Sequence, residues 1–229
     1  MRMMSLGRWV ACVAFAGLPL LMPAELGAQA PAPPPNPMPI MPPQIPAARV
    51  VDLMTEDGVK ILGGQWKNMD VKIVEAPPRE GAGPKYTSSY DIQPHAGEKG
   101  FDDSKWPAIE AKALGDRIGG GRLFMTWYRT NLTIPAKIGD FDTSGAVAVL
   151  TFTIDDYAEA WVNGQMPRRA GRTSPATIQG FNIPNRVVLT EQTKAGDKFE
   201  IAILGINGPI SLAPLNPVFF REARIEFYK

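Results

Sequence analysis

The residues with chemical reach gather in the second half of the chain. Asp155-Asp156-Tyr157 sets two carboxylates and a phenol in succession between apolar runs. Such a group can grip sugar hydroxyls or hold a calcium ion. The same Asp-Asp pair can instead turn the chain by accepting from its own backbone amides. Glu159 and Trp161 alternate with Ala158, Ala160 and Val162, so they share one strand face. A carboxylate beside an indole suits a sugar, whose C–H face packs on aromatics; the alternative is a half-buried core tryptophan. Trp127 and Arg129 also share a face, with Arg129 placed either to clamp a ligand or to pair with an acid such as Glu159. Further on, Asn182, Asn185 and Arg186 flank Pro184, and Asn207 opens the turn signal Asn207-Gly208-Pro209. Amide and guanidinium groups are suitable donors to hydroxyls. The candidate ligand-binding residues are therefore Asp156, Tyr157, Glu159, Arg186 and Asn207.

None of these brings a nucleophile together with a base. One His and one Cys exclude His/Cys zinc sites, disulfide scaffolds and Cys-His catalysis. His95 lies in the loop-like Pro94-His95-Ala96-Gly97 with no nucleophile nearby in sequence. Gly119-Gly120-Gly121 lacks the Gly-Lys-Ser/Thr ending of a phosphate loop. The carboxylate pairs Asp102-Asp103 and Asp140 with Asp142 have no spacing that specifies a glycosidase. No catalytic residue and no cofactor is expected, beyond a structural calcium held by Asp and carbonyl oxygens. Lys and Arg total 24 against 23 for Asp and Glu, a net charge of +1 that offers no field for nucleic acid.

The elements that must position these residues begin well into the chain. Arg2 and Arg8 precede an apolar run from Trp9 to Met22, too short for an ordinary membrane span, and Ala28-Gln29-Ala30 fits a cleavage site. Residues 1–30 are expected to be a signal peptide, making the protein exported, periplasmic or extracellular, with no membrane span after cleavage. Residues 31–47 are proline-rich and favour an extended polyproline II spacer. Residues 48–229 are expected to form one domain.

That domain reads as all-β. Val59–Gly63 and Trp66–Glu75 are rich in β-formers. Arg122–Ile134 alternates, with Phe124, Tyr128, Leu132 and Ile134 on one face and Arg129, Asn131 and Thr133 on the other. Val147–Ile154 and Phe199–Ile206 are apolar enough to be buried strands. Asn163-Gly164 after Ala158–Val162 signals a tight hairpin. Val218–Tyr228 closes the chain with Phe219, Ala223, Ile225 and Phe227 on one face. Helical pattern is confined to Ser104–Leu114, where Pro107 limits it to about two turns. Many short strands between Gly, Pro, Asn and Asp clusters predict a sandwich or jelly roll. Trp66, Phe124, Tyr128, Phe152, Leu204 and Phe227 are its expected core.

Three strings carry a family resemblance. Phe101-Asp102-Asp103-Ser104-Lys105-Trp106, Trp127-Tyr128-Arg129 and the hairpin from Asp155 to Gly164 resemble, in order and spacing, the sugar-binding domain of the family 2 glycoside hydrolases. The likeness covers roughly residues 101–206 and implies a galactose-binding-like β-sandwich. Asp155–Glu159, Gly180–Arg186 and Gly205–Ser211 also resemble the N-terminal jelly roll of some exported gluconolactonase-like proteins. In both families the resemblance places catalysis in a different domain, so activity is not carried over. The resulting expectation is a non-catalytic module binding carbohydrate or cell-wall glycan, accessory to a glycan- or lactone-processing enzyme. The alternative is a ligand-free docking or stabilising domain of a gluconolactonase-like hydrolase.

Overall fold

The computed structural model describes residues 45–77, 89–166, 177–179, 183–208 and 216–229. The expected signal peptide, most of the proline-rich spacer, Asn182 and Pro209 lie outside the described residues. Two antiparallel sheets face each other. The first has four strands in the order β1 (Arg49–Asp52), β13 (Phe219–Tyr228), β8 (Val147–Asp155), β11 (Asn185–Thr190). The second has five, in the order β10 (Thr177–Gln179), β9 (Tyr157–Val162), β12 (Lys198–Ile206), β5 (Met125–Thr133), β2 (Lys67–Asp70). Two small hairpins, β3 (Lys72–Glu75) with β4 (Tyr90–Gln93) and β6 (Lys137–Ile138) with β7 (Phe141–Asp142), complete the described strands. From β8 to β13 the chain passes repeatedly from one sheet to the other, in the manner of a jelly roll. The protein is an all-β sandwich.

Alternation in the sequence explains which side chains enter the space between the sheets. Tyr128, Leu132, Ile201 and Ile203 of the five-stranded sheet meet Leu150, Phe152, Ile154, Phe220, Ala223, Ile225 and Phe227 of the four-stranded one. Tyr128 and Phe220 join the two edge to face, with ring centroids 5.0 Å apart. Trp66 is also fully buried, its indole donating to the Leu53 carbonyl at 2.9 Å. Of the expected core, Phe124 is only partly buried against this cluster. Leu204 is buried on the opposite face of its sheet, in a second apolar cluster with Trp127, Ala202 and Ala96.

Three expectations about local structure are corrected. Val59–Gly63 is not a strand: α1 (Glu56–Ile61) occupies it. Thr55 caps the helix by accepting from the Gly58 amide at 3.1 Å, and Glu56 and Asp57 fill the first turn. These capping signals outweigh the β-branched residues. The expected helix within Ser104–Leu114 shrinks to a 3-10 turn at Ala111–Gly115. On β13, the register against β8 shifts between Phe220 and Glu222, a bulge at Arg221. The bulge puts Phe220, not Phe219, in line with Ala223, Ile225 and Phe227. No helix among the described residues is long and apolar enough to cross a membrane.

Candidate functional site

The outer face of the five-stranded sheet carries most of the residues with chemical reach, and register orders them into rows. Met125, Ile206 and Tyr157 stand side by side on β5, β12 and β9; Trp127, Leu204 and Glu159 form the next row; Arg129, Ala202 and Trp161 the third. Neighbouring strands lie about 4.8 Å apart, so the first row spans roughly 10 Å. Residues 94–106 cross over the middle of this face. The Trp127 indole donates to the Pro94 carbonyl at 2.9 Å. The Gly97 backbone lies so close to Trp161 that a Cβ there would stand 2.6 Å from the ring. Trp161 is therefore covered by the chain itself, its indole nitrogen 3.4 Å from Glu159 Oε2.

Arg129 is buried beneath the same crossing. Of the two expected roles, ligand clamp or pairing with an acid such as Glu159, the structure shows pairing with an acid, but that acid is Asp103, at 2.9 Å. Asp103 also receives Lys67 Nζ at 2.8 Å, while Arg129 donates to the Ala96 carbonyl and lies under the Phe101 ring. Burial alone would raise the Asp103 carboxyl, but hydrogen bonds from Lys67 and Arg129 outweigh it and hold the group below the usual range. The hairpin of β9 turns at Asn163 and Gly164 with φ of 51° and 78°, the geometry its sequence predicts.

The candidate residues separate into three places. Asp156, Tyr157 and Asn207 come together at one end of the sandwich. Asp156 accepts from the Gly208 amide at 2.9 Å and from the Asn216 side chain. Asn207 donates to the carbonyls of Gly121 at 2.8 Å and Asn216 at 3.2 Å, and accepts from the Phe124 amide. Both side chains thus hold loops in place. Tyr157 rests its ring against Gly208 yet remains 36% exposed. Glu159, in the second row, is half-buried beside it. Arg186 stands apart, on the outer face of the four-stranded sheet, bonded to Glu226 at 3.1 Å and to the Tyr228 hydroxyl. Neighbouring Asp155 pairs with Arg221 at 3.0 Å. Burial, then the adjoining Asp155 carboxyl, push Asp156 up to about 6 against the pull of the Gly208 amide.

Two elements near Tyr157 were not legible in the sequence. Beyond Met125 a cleft of about 420 Å³ opens, lined by Ile73, Tyr90, Asp91, Ile92 and Met125. Tyr90 is 63% exposed. Asp91 faces His95 at 2.9 Å; the Ile92 amide first, and then His95, hold its carboxyl below the usual range. Tyr90 and Ile92 alternate along β4 and could have been read as one strand face, but their adjacency to Met125 depends on long-range pairing. Among the described residues, no group of three or more His, Cys, Asp or Glu is placed to hold a metal ion.

No family model matches the sequence, and no curated protein matches it. Solved structures do resemble it. One is Bacteroides uniformis beta-glucuronidase, at 18% identity and a TM-score of 0.45 over 78% of this chain and 18% of that one. A glycosyl hydrolase family 2 member from Bacteroides cellulosilyticus gives 16% and 0.46, over 78% and 20%. Faecalibacterium prausnitzii beta-glucuronidase gives 16% and 0.37, over 82% and 33%. The chain thus spans between about a fifth and a third of the length of these proteins.

Proposed function

We propose that the protein is an exported, non-catalytic module that binds carbohydrate or cell-wall glycan and accompanies a glycan- or lactone-processing enzyme. The observation that supports this best is the row Tyr157–Ile206–Met125, which joins an exposed phenol to the cleft beside Tyr90. A sugar ring has an apolar C–H face and a rim of hydroxyls. The strip offers two tyrosines, an aliphatic floor, and the carboxylates of Glu159 and Asp91 as acceptors. In this reading Asp156 and Asn207 are positioning residues that hold the loops behind Tyr157. Arg186, on the other sheet, is not part of the strip.

Calorimetry of the full chain against a glycan panel tests the reading. A bound glycan is expected to lose about fivefold or more in affinity on Tyr157→Ala or Tyr90→Ala, the loss of a contact of roughly 1 kcal/mol. Undiminished affinity in both folded variants would overturn this placement. Export rests on the basic start, the apolar run and Ala28-Gln29-Ala30; a mature amino terminus at Pro31 is the expected result of N-terminal sequencing.

A second reading, a ligand-free docking domain of a gluconolactonase-like hydrolase, is favoured by one observation. Asp156 and Asn207 are engaged by the chain's own loops. Absence of binding across the whole panel would select it.

A further inference from the structure

The far end of the same outer face opens into a second recess, of about 340 Å³. Its working side chains are Phe101, Asn131, Thr133, Lys198 and Glu200, with buried Arg129 at the back. Register sets them in two rows, Asn131 opposite Glu200 and Thr133 opposite Lys198. Asn131 lies six residues along β5 from Met125, roughly 20 Å at strand spacing, so this recess is separate from the Tyr157 strip.

The recess is held by the fold. Glu200 is fixed from both sides: its carboxylate accepts from the Gly100 amide at 2.8 Å, and its own amide donates to Asn163 Oδ1 at 2.9 Å. The Asn163-Gly164 turn supports that arrangement by packing against the backbone of Lys99. No atom lies within 4 Å of where a side chain would begin at Gly63 or Gly100, so the walls stay open. Behind the recess Asp103 is shared by Arg129 and Lys67, and the recess itself presents one cation, Lys198, and one carboxylate, Glu200.

We propose that this recess binds a neutral saccharide ring. An amide, a hydroxyl, an ammonium and a carboxylate, set in adjacent rows, complement vicinal hydroxyls, and the half-buried Phe101 ring offers a face to sugar C–H groups. A uronate or sulfated sugar would bring a negative charge beside the fixed carboxylate of Glu200, a repulsion that a neutral ring avoids. The ligand class rests on the carbohydrate reading, whereas the location does not depend on the Tyr157 strip.

The test is amide NMR of the full chain, titrated with neutral gluco-, galacto-, manno- and xylo-oligosaccharides and with an oligogalacturonate. At least one neutral sugar should shift the Gly100 amide and the Asn131 side-chain amide. Asn131→Ala, at an exposed position, should weaken that binding about fivefold, as for one lost hydrogen bond. Lys198→Ala should weaken it less. A larger response to oligogalacturonate than to any neutral sugar would overturn the proposal. So would a silent recess while Tyr157 and Tyr90 respond, an outcome that leaves the carbohydrate reading standing. If neither region responds to any sugar, both fail.

Discussion

The carboxylate of Asp103 lies 2.9 Å from Nε of Arg129, and both side chains are buried under the crossing of residues 94–106. One residue comes from a loop and the other from the centre of a strand, and their bond ties the outer cover to the sheet. With Lys67 on the same carboxylate, the pair anchors the cover that carries Phe101 at one end and His95 at the other. Removing the acid leaves a guanidinium with little access to water. Asp103→Ala should cost about 3–5 kcal/mol, the usual penalty for orphaning one member of a buried pair. Urea unfolding of both proteins measures it; a loss of a few tenths would mean that the cover is not anchored here.

The Asn163-Gly164 turn supports that cover from below. Gly164 has φ of 78°, and an added Cβ would stand 2.4 Å from Lys99 Cβ and 2.5 Å from its backbone nitrogen. Gly164→Ala should cost about 2–4 kcal/mol, combining left-handed strain with a backbone clash. Gly145 is the control, with φ of 72° and nothing within 4 Å of the same position. Gly145→Ala should cost roughly 1 kcal/mol, from strain alone. Equal losses in thermal or urea unfolding would remove the Lys99 contact from the account.

The bulge at Arg221 decides which phenylalanine supports the core. Phe220 is 1% exposed and touches Trp66, Tyr128 and Phe152. Phe219 lies on the other side of the strand, its ring flanked by the guanidinium groups of Arg117 and Arg221. Phe220→Ala should cost about 3–5 kcal/mol, and Phe219→Ala distinctly less. The reverse order in equilibrium unfolding would place the register shift elsewhere.

These residues mark what the sequence can and cannot reveal. Alternation assigned Tyr128, Leu132 and Ile134 to the core because a strand repeats every two residues without reference to the rest of the chain. The Asn-Gly turn was legible for the same local reason. Phe219 was misassigned because one extra residue in a bulge inverts the faces on one side of it, and nothing in the local sequence marks the insertion. The candidate site fared unevenly on similar grounds. Glu159 and Trp161 share a strand face by parity, as read. Arg129 found Asp103 instead of Glu159, and Arg186 fell on the other sheet, because partner choice depends on which strands neighbour one another. Asn131 and Glu200 are 69 positions apart in sequence and meet only through the β5–β12 register.

The Asp156 carboxyl is the group whose ionisation should leave a trace in stability. Its value is raised from 3.8 to about 6, first by burial and then by Asp155, although the Gly208 amide favours the charged form. A raised value means that the folded state holds the proton more tightly than the unfolded state. The contribution to stability is therefore complete below pH 3.8 and declines as pH rises through about 6. Asp103 and Glu226, both held below their usual range, contribute the opposite slope at lower pH. The comparison must therefore be made against a variant, not against a flat baseline. Asp156→Asn keeps the shape and an acceptor for the Gly208 amide while removing the titration. Relative to this variant, the unaltered protein should lose stability between about pH 4 and pH 6, read as a falling difference in urea midpoint at pH 4, 5, 6 and 7. A difference that stays constant across that window would show that Asp156 titrates as an ordinary carboxylate. In that case its bonds to Gly208 and Asn216 outweigh both its burial and its neighbour.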